Sequence, residues 1–239
     1  QSWAIQAALV NELADHWDEP DNGLWEIRGP LQHFTHSRVM VWAAFDRAIQ
    51  AVEEHDLPGD VERWREIRDL VREEVLTKGF NTDKNTFTQH YNTDEVDASL
   101  LLIPLIGFLP GDDPRVIGTV RAIENDLMRG GFLLRYRTQT GVDGLAGTEH
   151  PFLACSFWLV SALVEIGEVT RARALCERLL AAMAVPGDVA GHRLPLAGSI
   201  GGALCHSGQY CHIDDLLHRA DAAMYQAKQS GKGRFALDL

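Results

Sequence analysis

A loop with the sequence Gly23-Leu24-Trp25-Glu26-Ile27-Arg28-Gly29-Pro30 separates two segments whose apolar residues recur with helical spacing. In the first segment, residues 3–17, apolar side chains stand four residues apart from Ile5 to Trp17. The second segment covers residues 34–54. The glycine at the start and the Gly-Pro pair at the end predict that the intervening residues form a loop. A tryptophan, a glutamate and an arginine therefore lie in a loop between two predicted helices.

Helices and connections continue to alternate along the chain. The further predicted helices cover residues 61–75, 95–108, 116–128, 151–166 and 170–184. The connections between successive helices are long, short, long, short, long and short. Because helices joined in this way run antiparallel, all three long loops are expected at one end of the array. This order predicts a mainly α protein, a toroid of antiparallel helix pairs with its active site at the long-loop end.

A second glutamate closes the third long loop, in Gly147-Thr148-Glu149-His150-Pro151-Phe152. Glu26 lies in the first long loop, so the predicted array brings both carboxylates to the same end. Each glutamate also has an aromatic residue close by in the sequence. Two carboxylates from separate loops, beside rings that can stack on a sugar, are what cleavage of a glycosidic bond requires.

Several runs of this sequence resemble bacterial members of glycoside hydrolase family 15, the glucoamylase and trehalase-like enzymes. Beyond the first loop, the resemblance is carried by Glu19-Pro20-Asp21-Asn22, His33-Phe34-Thr35-His36-Ser37-Arg38-Val39-Met40, Gly79-Phe80, Phe87-Thr88-Gln89, Asp97-Ala98-Ser99, Phe132-Leu133-Leu134-Arg135-Tyr136 and Leu153-Ala154-Cys155-Ser156-Phe157-Trp158-Leu159-Val160. It covers roughly residues 1–180, which are expected to form a partial catalytic domain. The resemblance implies an (α/α)6 barrel that hydrolyses α-linked glucosides with inversion of configuration and without a cofactor. Trehalose and malto- or isomalto-oligosaccharides are the expected substrates.

Position by position, the resemblance implies that Glu26 is the general acid and Glu149 the general base. Glu149 stands first in the place of the family's Glu-Gly-Ala-Phe motif, and Phe152 stands last. His150 and Pro151 replace the glycine and the alanine. Because proline fixes its own backbone φ angle, this change is expected to affect the geometry of the base rather than its identity.

Candidate substrate-binding residues accompany the two carboxylates. Trp25 offers an apolar wall, which favours the protonated form of Glu26, and a ring on which a sugar can stack. Three arginines are predicted to bind sugar hydroxyls or to keep the base ionised: Arg28, Arg135 and Arg137. Tyr91 and Asp97 are further candidates for sugar contacts. Asp97 equally fits a helix cap or a hydrogen-bond partner in the core. Two other tryptophans are expected to pack inside the barrel: Trp42 and Trp158.

No metal site is predicted. His33 and His36 lie near one helical face, but no third ligand follows at a suitable spacing. The pairs Cys205-His206 and Cys211-His212 match no standard zinc-finger spacing. The 4 cysteines also show no disulfide framework, which favours a reducing, cytoplasmic location.

The charge balance argues against two classes of partner. With 34 acidic and 22 basic residues the formal net charge is −12, so the overall field repels nucleic acid and anionic lipid. The longest apolar run, residues 100–109, is too short to cross a bilayer. The chain begins with Gln1 inside an amphipathic pattern, and the natural N-terminus is expected to lie further upstream.

Residues 181–239 follow a different pattern, expected to form a small α+β tail. Residues 191–196 and 198–204 predict a β-hairpin, and residues 214–228 predict an amphipathic helix. The strand Ser199-Ile200-Gly201 and the helix Ala220-Asp221-Ala222-Ala223-Met224-Tyr225-Gln226-Ala227-Lys228 resemble the last third of a diguanylate cyclase (GGDEF) domain. Lys228 matches a phosphate-contacting lysine of that family. The metal-binding aspartate and the signature hairpin are absent, so no cyclase activity is expected.

Two functional hypotheses remain open at this point. The first is an inverting α-glucosidase, and the second is a catalytically inactive remnant that binds sugar. Seven helices are predicted where a closed toroid of this type has twelve, which motivates the second hypothesis. An open arc also leaves two apolar flanks, around residues 5–13 and 175–180, so self-association is expected.

Overall fold

Helices form most of the first part of the chain. The computed structural model describes residues 2–138, 150–185, 187–189, 192–194, 198–203, 212–231 and 233–238. The chain divides into two units, Gln1–Glu168 and Val169–Leu239. In the first unit the helices are α1 (Ser2–His16), α2 (Thr35–His55), α3 (Val61–Lys78), a 3-10 helix (Ala98–Leu101), α4 (Leu102–Ile106), α5 (Pro114–Leu127) and α6 (Leu153–Glu165). Two antiparallel strand pairs accompany them, β1 (Phe80–Asn81) with β2 (Thr86–Phe87) and β3 (Met128–Arg129) with β4 (Phe132–Leu133).

The core of the first unit forms where α2 packs against α3. Trp64, Val71 and Val75 of α3 and Phe45 of α2 are all fully buried. Helix α3 begins after Asp60, whose carboxylate accepts a hydrogen bond from the backbone N–H of Arg63. Helix α2 also contacts α1 and α4, and α4 contacts α6. Helices α2 and α3 therefore form where they were predicted, and they bury the apolar faces that their patterns indicate.

The three long loops meet, as the helix order predicts. The backbone N–H of Thr35 donates to the carbonyl of Gln89, which joins the first loop to the second at 3.0 Å. The N–H of Ala98 donates to the carbonyl of Arg135 at 2.9 Å, which joins the second loop to the third. At a short connection, Gly111 lies so close to the carbonyl of Glu165 that a Cβ atom would overlap it.

The predicted helix over residues 95–108 is wrong in its extent. The chain is extended at Asp97, and a 3-10 helix and the five-residue helix α4 follow it. Asp97 accepts a hydrogen bond from the N–H of Ser99 and so fixes the helix start at Ala98, three residues later than expected. Pro104 has no N–H to donate, and Gly107, at φ 84°, ends the helix in the left-handed conformation.

The second unit begins with α7 (Val169–Ala184) and combines helices with strands. Strand β5 (Gly187–Val189) pairs antiparallel with β6 (His192–Leu194). Strand β7 (Ile200–Ala203) precedes α8 (Ile213–Gln229) and pairs in parallel with β8 (Phe235–Asp238). The predicted helix over residues 214–228 and the α+β character of the tail are therefore present.

The predicted hairpin between residues 191–196 and 198–204 is wrong. Residues 192–194 pair with the preceding strand instead, and residues 200–203 pair with the last strand of the chain. A Cβ atom on Gly201 would overlap the backbone of α8 at Ala220, so the glycine is needed for the helix to pack on β7. The predicted domain boundary after residue 180 stays a prediction, and the compact units divide between Glu168 and Val169.

Candidate active site

The first long loop is held by a network around Asp21. The Asp21 carboxylate accepts hydrogen bonds from the N–H of Gly23 and from the hydroxyl of Ser37, and its backbone pairs with Gln32. Gly23 has φ +68°, and a Cβ atom there would lie 2.8 Å from the ring of Phe34. Only glycine meets both conditions without strain. This turn fixes the position and direction of the backbone that follows it in the loop, including the predicted acid.

Glu26 lies next in this loop, exposed and with an unusual backbone conformation. Its φ angle is 51°, in the left-handed region that residues other than glycine rarely adopt. The N–H of Glu26 donates to Gly23 at 3.1 Å, and the N–H of the buried residue Ile27 donates to Asn22 at 2.8 Å. The loop therefore holds Glu26 in a costly conformation that directs its carboxyl group to solvent. A proton donor is expected to be enclosed by apolar side chains, and the described residues do not enclose Glu26 in this way.

Trp25 is fixed by a buried carboxylate from the second long loop. Its indole N–H lies 3.0 Å from Oδ1 and 2.9 Å from Oδ2 of Asp97. Asp97 is only 2 % exposed and also accepts hydrogen bonds from the amide of Gln89 and the N–H of Ser99. Of the roles considered for Asp97, the structure supports the helix cap and the hydrogen-bond partner.

Aromatic rings from the third loop and α6 surround Trp25. The ring centroids of Tyr136, Phe152 and Trp158 lie 6.4, 6.2 and 5.8 Å from that of Trp25. The Arg135 guanidinium lies over the Trp25 ring at 5.6 Å and over Tyr136 at 5.3 Å. An apolar, partly exposed surface with a fixed cation suits the faces and hydroxyls of a sugar.

The other predicted binding residues differ in their surroundings. Arg28 is exposed beside the loop. Tyr91 is buried and stacks with His33 at 5.7 Å, and this burial raises the pKa of the Tyr91 hydroxyl. Arg137 forms an ion pair with Glu95. Direct sugar contacts by Tyr91 and Arg137 stay predictions, and the structure gives both side chains partners within the protein.

The predicted base, Glu149, lies outside the described residues, as do Cys205 and Cys211. Phe152, three residues beyond Glu149, is described. Its N–H donates to the carbonyl of Leu133 at 2.8 Å, and its ring is 46 % exposed beside Trp25. Phe152 is thereby held beside Trp25.

Among the described residues no three His, Cys, Asp or Glu side chains come together as metal ligands. His33 packs against Tyr91, and His36 is buried, which lowers the pKa of its imidazole. Trp42 packs edge-on against Phe108 in the core, as expected. Trp158, which was expected to pack inside the barrel, joins the cluster around Trp25.

Comparison with solved structures defines the class of fold. The chain superposes on a glycosidase in complex with glucose at a TM-score of 0.62 and 21% identity, covering 78% of this chain and 49% of that one. It also superposes on a bacterial glucoamylase complexed with acarbose at a TM-score of 0.56 and 15% identity, covering 74% and 32%. These similarities show the fold: the chain contains part of the glucoamylase-type (α/α)6 toroid, and the predicted fold class is confirmed.

The family follows from the sequence itself. The chain belongs to the glycosyl hydrolases family 15, whose sequence model matches residues 1–210. It is 50% identical over 178 residues to a trehalase of Mycobacterium tuberculosis, covering 74% of this chain and 26% of that protein. The chain thus spans about a quarter of the length of that relative. No described helix is both long and apolar enough to pass through a lipid bilayer.

Proposed function

We propose that this chain carries part of the active site of a glycoside hydrolase that cleaves α-linked glucosides, with trehalose as the first candidate. The observation that carries the proposal is the left-handed Glu26 beside the anchored Trp25. The identity to a trehalase over most of this chain supports trehalose over malto- and isomalto-oligosaccharides.

In the proposed reaction Glu26 donates its proton to the glycosidic oxygen as the bond to the anomeric carbon breaks. Glu149 removes a proton from a water molecule, whose oxygen attacks the opposite face of that carbon. Room for this water requires the two carboxyl groups to stand about 6.5–9.5 Å apart, and the configuration is then inverted. The products are a glucose unit of inverted configuration and the released alcohol, which for trehalose is a second glucose. Exchange with solvent then returns a proton to Glu26 and removes one from Glu149.

Substrate binding in this proposal uses the surface around Trp25. The ring face of Trp25 stacks on a glucose ring, and Arg28 and Arg135 donate to its hydroxyls. Tyr91 and Arg137 are proposed to bind substrate beside this surface. Tyr91 stacks on His33, and Arg137 forms the ion pair with Glu95. The Arg135 cation over two rings supports this arrangement.

The test measures glucose release from trehalose and from maltose by the purified chain. Glu26→Gln and Glu149→Gln should each lower kcat by at least about 100-fold, because each removes one proton-transfer partner. Glu54→Gln, an exposed glutamate at the far end of α2, is the matched control and should leave kcat unchanged. Activity that persists in either active-site variant would refute the assigned roles.

The exposure of Glu26 supports a second candidate, a sugar-binding protein without activity. The described residues leave Glu26 exposed rather than enclosed by apolar side chains. In this case trehalose binds without being hydrolysed, and Trp25→Ala abolishes the binding. Calorimetry on the unmutated chain, run beside the glucose assay, distinguishes the two candidates.

For residues 181–239 we propose descent from a GGDEF-like domain without cyclase activity. The order strand, helix, strand with parallel pairing of β7 and β8 supports the proposal, since the resemblance covers the same strand and helix. The test joins residues 181–239 to the N-terminal part of a GGDEF domain and measures whether the hybrid folds. A hybrid that does not fold would count against this descent.

A further inference from the structure

We propose that Asp97 is a positioning residue, which acts by holding the indole of Trp25 with one face toward the sugar. The proposal rests on the function proposed above and adds a residue to the same site. Asp97 does not touch the predicted substrate position itself, because its side chain is almost completely buried. Its effect must therefore pass through Trp25.

The contacts of Asp97 exceed what a helix cap needs. A cap requires one oxygen, and Oδ1 of Asp97 fills that role at 2.7 Å from the N–H of Ser99. Yet both oxygens also accept from the indole N–H of Trp25, which lies 72 positions earlier in the chain. The amide of Gln89 donates to Oδ2 at 3.0 Å and completes the set. The carboxylate thus ties the first long loop to the second.

The energetics of burial favour a functional reason for this carboxylate. A buried charge is costly unless hydrogen bonds or an opposite charge compensate it. Within the described part of the chain, no lysine or arginine forms an ion pair with Asp97, and its partners there are neutral donors. A neutral cap such as serine would satisfy the N–H of Ser99 at lower cost. The anion provides a strong, charge-assisted anchor for Trp25.

A consequence for recognition follows from the donor count. Indole has one N–H and no acceptor, and Asp97 occupies that donor. Trp25 can therefore contact the sugar only through its ring, without donating a hydrogen bond. Arg135 lies over the ring, and an anion at the indole N–H makes the ring more attractive to that cation. Asp97 thus sets both the orientation of the Trp25 ring and its electron density.

Asp97→Asn separates anchoring from capping. One amide oxygen can still accept from the N–H of Ser99, and Gln89 can turn its own oxygen toward the new amide. Trp25 loses the carboxylate. We expect a fall in kcat/KM for trehalose of about 10- to 100-fold, because displacement of a positioning group by about 1 Å has this effect. Asp113→Asn is the matched control, since Asp113 caps α5 through the N–H of Arg115. It should lower the melting temperature similarly without this loss.

A double-mutant cycle with Trp25→Phe tests whether Asp97 acts through Trp25. Phenylalanine keeps a ring but has no N–H, so Asp97→Asn should change kcat/KM less than about threefold in that background. A full additional loss there would overturn the proposal.

A direct readout on the chain itself separates this proposal from the proposed function. The indole N–H resonance of Trp25, assigned by its loss in Trp25→Phe, should be protected from exchange in the unmutated chain. It should shift and lose protection in Asp97→Asn but not in Asp113→Asn. An unprotected signal in the unmutated chain refutes the anchor even if Asp97→Asn does not fold. An inactive chain with a protected, Asp97-dependent signal refutes the hydrolase and supports the anchor.

Discussion

Arg137 and Glu95 form a two-point ion pair between the third and the second long loop. Nε and Nη2 of Arg137 donate to Oε2 and Oε1 of Glu95, each at 2.8 Å. Arg137 was predicted to bind substrate, so the ion pair raises the question of whether this arginine contacts the sugar or fixes the geometry of the loops.

The variants Arg137→Ala and Glu95→Gln address this question. If the ion pair mainly joins the loops, both should raise KM for trehalose to a similar extent. The loss in stability should be about 1 kcal/mol or less, because the pair is partly exposed. A rise in KM confined to Arg137→Ala would instead show that the guanidinium contacts sugar. Urea denaturation and initial-rate kinetics give the two quantities.

Gly23→Ala should destabilise the first loop more than Gly130→Ala. Both glycines have positive φ, +68° and +59°, so both alanines carry similar backbone strain of about 1 kcal/mol. Only Gly23 faces a neighbour, the Phe34 ring at 2.8 Å, whereas Gly130 has nothing within 4 Å. Overpacking should add about 1–3 kcal/mol at Gly23. Equal unfolding free energies for the two variants would contradict the close contact.

Stability should fall as the pH is lowered through 6.5, and His36 should account for part of this fall. Burial lowers the pKa of His36 below its ordinary value of 6.5, while Asp97 and Asp21 offset part of the shift. Below 6.5 the unfolded chain therefore takes up a proton that the folded chain does not, and unfolding is favoured. His36→Gln should flatten the stability profile between about pH 7 and 5. The exposed His55→Gln serves as the control, and an identical profile in all three proteins would refute the assignment.

Self-association is expected through α1. Ile5 and Leu9 are 64 % and 65 % exposed on this helix, which agrees with a bare flank. On the other expected flank, Leu175, Leu179 and Leu180 are buried, as is expected if the C-terminal tail covers one of the two flanks.

The test compares Ile5→Lys/Leu9→Lys with Leu70→Lys, which changes a single leucine on α3 that is 54 % exposed. Light scattering after size exclusion should show a larger particle for the unmutated chain and for Leu70→Lys. The double variant should elute as a 26.5 kDa monomer. A monomeric unmutated chain would rule out the association.

Local patterns predicted the helices well and long-range partners poorly. Periodic apolar residues predicted the ends of α2, α3 and α5 within a few residues, because the spacing of apolar residues itself indicates a helix with one buried face. The parallel pairing of β7 with β8 was missed, since the partners are far apart in sequence and no turn joins them.

In the candidate site, too, local features were predicted and long-range partners were missed. Glu26 and Trp25 were identified from the loop and the family motif. The bond from Trp25 to Asp97 and the ion pair of Arg137 were not, because a sequence does not state which distant side chains meet. Trp158 carried a usable signal, since it stands in the last quoted run of the family motif, which begins directly after Phe152.

Because the backbone at Glu26 is left-handed, selection for stability and selection for activity should favour different residues at this position. Glycine or asparagine would adopt φ 51° more easily, so a saturation library sorted for heat resistance should enrich them there by roughly 1 kcal/mol of advantage. The same library sorted for glucose release should keep only glutamate. Opposite enrichments at residue 26 would mark it as a position whose side chain is retained for chemistry at the expense of the fold.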